Sequence, residues 1–333
     1  MKSVIPLTFH LVCWILCAHS RLAQASIPGD GNNDYVVDSQ DVLILEQNWH
    51  KDALSGNRIT VDLPAPSIRL VRIPAGSFMM GSPDTERSRN ANEGPVHQVT
   101  IGYEFYLGET EVTQAQWRAI VGSIPGNINT DDPNMPVAYV SWDDCQAFLA
   151  TLNALNQGTF RLPSEAEWEY ACRAGTTKRF YFGNSLGCND ECADCEVEEI
   201  VIGRNQPLLE RNDDGFNLNA TKILPFFFNR SDFMWYCGNA GLFGEPVRTR
   251  KPNGFGLYDM AGNVQEWCQD SYHADYTGAP NDGSAWELNG ENQRVTRGGD
   301  FLNHAKFCRS ASRIKNDPTT RFGNGGFRVA WTP

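Results

Sequence analysis

Pro252-Asn-Gly-Phe-Gly-Leu-Tyr-Asp-Met-Ala-Gly-Asn-Val-Gln-Glu-Trp267 is too rich in turn formers for a regular helix or strand, yet it carries apolar residues and buried-type aromatics. Within the eight residues from Asp259 to Glu266, the two carboxylates bracket Gly262 and Val264. If the loop curls, those side chains and the two backbone carbonyls converge on one hard cation, the all-oxygen ligand set that Ca2+ takes. The plain alternative is a solvated turn with a helix cap.

Upstream of that loop, Arg161-Leu-Pro-Ser-Glu-Ala-Glu-Trp-Glu-Tyr-Ala-Cys-Arg-Ala-Gly175 predicts a helix over Glu165–Arg173, capped by Ser164 and Glu167 and stopped at Gly175. Glu165, Glu167 and Glu169 are accounted for by capping and a solvent face rather than by acid and base chemistry. Thr113 and Gln116 form the same box at the head of a helix ending before Gly122, and Trp142, Cys145, Phe148, Leu149 and Leu152 mark a third over 141–156. Arg69 to Gly81 alternates around Pro74-Ala75-Gly76, which predicts a β-hairpin. Residues 184–233 read as an insertion holding Cys188, Cys192 and Cys195.

The whole chain has 333 residues and a formal net charge of -12 with pI near 5.0. Such a balance excludes a phosphate-tracking surface, so nucleic acid is not an expected partner. Lys2, the apolar run Val4–Ala18 and Ala23-Gln24-Ala25 predict a secretory signal peptide over 1–25, cleaved after Ala25, and a secreted, periplasmic or extracellular protein. Ten cysteines fall to eight once Cys13 and Cys17 leave with the leader, and export favours disulfides over free thiols or a zinc site. Bridges within the insertion and one from Cys237 to Cys268 are expected, with Cys145 unplaced.

Residues 26–50 contain Asp30, Asn32, Asp34, Asp38 and Asp41 at positions 1, 3, 5, 9 and 12 of a loop, followed by the apolar helix pattern Val42, Leu43, Leu45 and Trp49. Oxygen side chains at those intervals wrap Ca2+. The stretch resembles one repeat of a type I dockerin, with Tyr35 where the loop usually turns on glycine; the resemblance implies a cohesin as partner. Residues 51–66 read as a linker.

From 67 to 333 the chain carries Ile73-Pro-Ala-Gly-Ser-Phe-Met-Met-Gly-Ser, Glu111-Val-Thr-Gln, Pro136-Val-Ala-Tyr-Val-Ser-Trp-Asp-Asp, the two strings quoted above, Arg297-Gly-Gly and Gly326-Phe-Arg-Val-Ala. In that order they resemble the formylglycine-generating enzyme, or sulfatase-modifying factor, family. The resemblance implies an α+β fold related to C-type lectins, with little regular secondary structure, besides the short EF-hand-like N-terminal element. Founding members of that family oxidise a sulfatase cysteine with copper and O2. Asp259, Gly262, Val264 and Glu266 match a structural calcium site of the family. Its other calcium site keeps only Asn239 and Ala240, because the loop 241–246 is short and lacks the Asp.

Two cysteines after Arg-Gly-Gly hold Cu(I) in that family, soft ligands for a soft ion. Here Asn303 stands at the first and a shortened loop removes the second, so copper chemistry is not expected. The resemblance implies instead a Cys172–Cys308 bridge. Asp300, Asn303 and His304 occupy the family's active-site loop. Three roles compete: a binding or scaffold module for an extracellular protein or glycan, an oxidoreductase acting on a sulfatase with altered metal chemistry at those three residues, and a cellulosome-like accessory that docks on a cohesin.

Overall fold

Short runs of β-branched and aromatic residues, cut by Gly, Pro and Asn, make short strands joined by long irregular connections. The computed structural model describes residues 58–61, 66–126, 132–185, 190–192, 196–199, 210–212, 215–217, 226–288 and 293–332. The expected leader, the dockerin-like repeat with Asp30, Asn32, Asp34, Asp38 and Asp41, and Cys188 and Cys195 lie outside the described residues. The chain divides into two units, 54–202 with 223–333, and 1–53 with 203–222. Of the second, the antiparallel pair Glu210–Asn212 and Gly215–Asn217 is described.

In the larger unit an antiparallel five-stranded sheet runs in the order Arg58–Val61, Ile68–Ile73, Phe105–Gly108, Ala330–Thr332, Thr159–Arg161. The C-terminal strand thus fills an interior position between two strands distant in sequence. A four-stranded sheet is ordered Arg313–Asn316, Arg294–Arg297, Gln265–Ser271, Gly325–Gly326, with its last pair parallel. Gly76–Met80 pairs with His97–Ile101, and Glu196–Glu199 with Phe226–Asn229.

The predicted hairpin around Pro74 does not form. Both strands exist, but Ile68–Ile73 is bonded on one edge to Arg58–Val61 and on the other to Phe105–Gly108. With both edges filled it offers no ladder to Gly76–Met80, and Pro74-Ala75 carries the chain into another sheet.

Among the described residues are three α-helices, α1 (Gln114–Val121), α2 (Trp142–Asn153) and α3 (Glu165–Arg173). Each begins with a reciprocal capping box, Thr113 with Gln116, Ser141 with Asp144 and Ser164 with Glu167, which satisfies two otherwise orphaned backbone donors. Trp117 of α1 stacks on Phe148 of α2 at 5.2 Å, and Phe327 closes the cluster edge-on at 5.3 Å from Phe148.

Every residue of α3 is buried, which overturns the solvent face expected for its glutamates. An arginine meets each carboxylate. Arg313 grips Glu165 through two bonds of 2.6 and 2.7 Å, Arg161 grips Glu167 at 2.6 and 2.7 Å, and Glu169 lies between Arg173 and Arg297. A buried carboxylate is tolerable only when so paired and hydrogen-bonded.

Candidate functional site

The Asp259–Glu266 loop is shaped by backbone conformations that L side chains rarely adopt: Asp259, Gly262 and Asn263 have φ of 59, 85 and 60°. Only glycine fits at 262, since an added Cβ would collide with the carbonyl of Trp235. Gly262 donates its N–H to Gly298 O and Asn263 to Trp235 O, both at 2.8 Å, so the loop is clamped between two other segments.

Asp259 is 2% exposed. Its Oδ2 accepts from the Arg248 N–H at 2.8 Å, while Oδ1 is buried without a hydrogen-bond partner. Glu266 accepts from Trp168 Nε1 at 2.6 Å and from both Nε and Nη2 of the buried Arg328 at 2.7 and 2.6 Å. Arg328 gives two further bonds to the Gly108 and Tyr258 carbonyls.

A third carboxylate belongs to the same cluster. Glu111 is fully buried, and neither of its carboxylate oxygens has a hydrogen-bond partner. Burial, then the charges of Asp259 and Glu266, push its carboxyl well above the usual range, with Arg328 opposing. Burial likewise pushes Asp259 up to about 6. Three carboxylates share Arg328, with Arg250 acting on Asp259 as well, so burial favours protons on this cluster unless a cation replaces them, and the open oxygens of Asp259 and Glu111 are hard donors. The residues present therefore fit a hard cation. Glu111 stands in the motif Glu111-Val-Thr-Gln with no role readable there, since a Glu in the bend after Phe105–Gly108, adjoining a calcium-like loop only in three dimensions, leaves no local signal.

Asn239, matched to the family's other calcium site, is used by its own turn: Oδ1 accepts from Tyr236 N–H and Nδ2 donates to Met234 O, both at 3.0 Å.

The loop after Arg297-Gly-Gly is the second candidate. Asp300 is fully buried, with Oδ2 accepting from Gln265 Nε2 at 2.7 Å and Oδ1 from the Leu302 N–H at 2.8 Å. Burial raises its carboxyl. Asp300 thus faces inward and closes its own loop, its backbone carbonyl accepting from the Asn303 N–H at 3.0 Å, while Asn303 O accepts from Cys237 N–H at 3.1 Å. His304 is half-buried with Nδ1 shielded and unpartnered.

The expected Cys172–Cys308 bridge is not formed. Both are free, fully buried thiols with separate contacts, Cys172 Sγ at 3.6 Å from Met260 O and 3.7 Å from Ser310 Oγ, Cys308 Sγ at 4.0 Å from His304 O. Burial pushes Cys172 up to about 12 and raises Cys308 as well, as expected of thiols held protonated in apolar surroundings. Cys268 is also a free buried thiol, because Cys237, its expected partner, is bonded to Cys192. Cys145 is free and buried on α2.

The family described as "Sulfatase-modifying factor enzyme 1-like domain" matches residues 63–333. The chain is 29% identical over 319 residues to the formylglycine-generating enzyme of Thermomonospora curvata, covering 79% of this chain and 93% of that protein. It is 30% identical over 323 residues to the Streptomyces coelicolor enzyme of the same name, covering 78% and 88%. An inactive C-alpha-formylglycine-generating enzyme 2 of Bos taurus is 25% identical over 323 residues, covering 79% and 88%. Among solved structures, PvdO from Pseudomonas aeruginosa superposes with a TM-score of 0.60 at 28% identity, covering 80% of this chain and 95% of that one. Treponema denticola variable protein 1 superposes at 0.62 and 25% identity, covering 83% and 99%.

Proposed function

The chain belongs to the sulfatase-modifying factor family, and from that premise we propose that it is an exported, calcium-stabilised binding or scaffold module without copper-cysteine oxidase chemistry. One observation carries the proposal. Where the family resemblance places the first catalytic cysteine stands Asn303, and Cys308, the sole cysteine of the 298–313 loop, is a fully buried thiol pushed far from ionisation. An amide and a protonated thiol do not make the pair of soft thiolates that Cu(I) selects. The inactive Bos taurus relative supports a non-catalytic role on this fold.

Calcium fits the other loop. Asp259 and Glu266, with the Gly262 and Val264 carbonyls, would hold it, and Glu111 would add a neighbouring negative charge. When bound, the ion supplies compensation for buried carboxylates. Glu266 is oriented by Arg328 and Trp168, and Asp259 by the Arg248 amide.

A binding surface is supported by the large apolar side chains left in water on two loops, Leu242 at 80%, Phe243 at 60% and Leu302 at 51% exposure. Leu242 and Phe243 are adjacent in sequence, and a contiguous exposed apolar patch is what marks a recognition surface. An extracellular protein or glycan is the ligand class, with a sulfatase or a cohesin as the protein candidates. The oxidoreductase alternative at Asp300, Asn303 and His304 is disfavoured because the Asp300 carboxylate is consumed by Gln265 and Leu302.

The test incubates the copper-exposed protein with O2 and a cysteine-containing peptide of the sulfatase type, and follows peptide mass. Unchanged peptide is the expected result; conversion of the cysteine to an aldehyde sinks the proposal.

A further inference from the structure

Cys192 and Cys237 are joined across 45 residues of sequence. Cys237 lies in a turn pinned from within by Asn239 and from outside by the bond of its own N–H to Asn303 O. Cys192 is exposed, and its approach is fixed two residues earlier by Asp190, which accepts from Arg179 Nη2 at 2.8 Å and Ser88 Oγ at 2.5 Å and pairs with Arg87 at 3.2 Å. His304 completes the group. Its ligand nitrogen and the two sulfurs all lie within 4.8 Å of one another, and Nδ1 is shielded without a partner.

Two sulfurs and an imidazole are a zinc-type ligand set, and three protein ligands leave a fourth tetrahedral position open. Bond lengths of about 2.3 Å to sulfur and 2.0–2.1 Å to nitrogen put tetrahedral ligand atoms roughly 3.3–3.8 Å apart. From within 4.8 Å, the triangle needs to contract by at most about 1.5 Å on the histidine side while the sulfurs separate. Bonded to each other, the sulfurs are not thiolates and cannot serve as such ligands.

We propose that Cys192, Cys237 and His304 form a redox-gated site for a zinc-class cation, closed while the disulfide is intact and opened by its reduction. A dithiol reductant attacks the exposed bond and departs as its own disulfide, delivering two electrons and leaving two protein thiols. The cation then displaces both thiol protons and is held by two thiolates and the imidazole, with water in the open position. This inference does not rest on the binding or scaffold role and survives its failure.

The test titrates Co2+, as a coloured substitute for Zn2+, into the full-length protein before and after reduction by a phosphine, which does not compete for the metal. Thiolate-to-cobalt charge-transfer and tetrahedral d–d absorption are expected in the reduced protein alone, displaced by one equivalent of Zn2+. Both are expected to vanish in Cys192→Ser and Cys237→Ser. In His304→Ala, affinity is expected to fall about 10–100-fold, at least the loss that follows removal of an outer-shell partner. Alkylation and intact mass establish that the bond has been reduced. Absence of the cobalt bands in protein so verified overturns the site, as does an unchanged titration in His304→Ala, which would assign the metal to other cysteines. Cys192 and His304 are not in the buried core, so their variants remain informative even where Cys237→Ser fails to fold.

Discussion

At Gly262 the backbone leaves no room for a side chain, and φ is 85° with the Trp235 carbonyl in the way. Gly262→Ala is therefore expected to cost at least about 1–3 kcal/mol, the scale of a strained residue, read by chemical denaturation. Arg328 is the counterpart for charge. Arg328→Met strands Glu266 in a dry site and is expected to lose about 3–5 kcal/mol, whereas a loss below 1 kcal/mol would show that Glu266 finds compensation elsewhere. The importance of Gly262 was legible, since the loop motif is local. Arg328 sat within a quoted string, but its partner lies 62 positions away, and nothing in either segment announces the pair. Glu111 was missed for the same reason.

Titration follows from these residues. Asp259 is pushed up to about 6 and Asp270 to about 7, both chiefly by burial, with Glu165 adding to Asp270. A folded-state pKa above the unfolded value of about 3.9 means that the native state holds protons the unfolded chain has released. That contribution is complete below about pH 4 and is lost as pH rises through 6 and 7. The melting temperature of chelated protein is expected to fall between about pH 5 and 7.5. Calcium should flatten the dependence by replacing the proton on Asp259, and in Asp259→Asn it should no longer do so. A melting temperature that rises across this window in chelated protein would contradict the assignment.

At the scale of elements, α3 shows what local sequence can and cannot specify. Its cap and its end at the Ala174–Gly175 turn were readable, because Ser164 and Glu167 act three residues apart. Its orientation was not. Three alternating glutamates read as a wet face, yet the arginines that bury them come from Arg161, Arg297 and Arg313, two of them on strands more than a hundred residues downstream. Glu165→Ala is expected to destabilise by about 3–5 kcal/mol, since it leaves buried Arg313 uncompensated, while an exposed glutamate would give less than about 0.5 kcal/mol. The hairpin around Pro74 failed similarly: strand content was visible in the alternation, but pairing depended on which edges more distant strands had filled. Cysteine pairing followed neither spacing nor resemblance, because Cys192–Cys237 depends on how the insertion returns to the 235–240 turn.

For the molecule as a whole, family membership and α+β architecture were legible because several motifs recur in a fixed order. The order of strands was not, for Ala330–Thr332 pairs with two strands from distant parts of the chain, Phe105–Gly108 and Thr159–Arg161. The same architecture places the carboxylates of Glu111, Asp259 and Glu266 in one buried cluster and an amide, Asn303, on the loop after Arg297-Gly-Gly. Saturating calcium at about 100 times its dissociation constant is expected to add about 2.7 kcal/mol to stability. The most direct test is elemental analysis of the protein, disulfide intact, desalted after exposure to calcium and copper together. The account predicts retained calcium with only traces of copper; near-stoichiometric copper would contradict it.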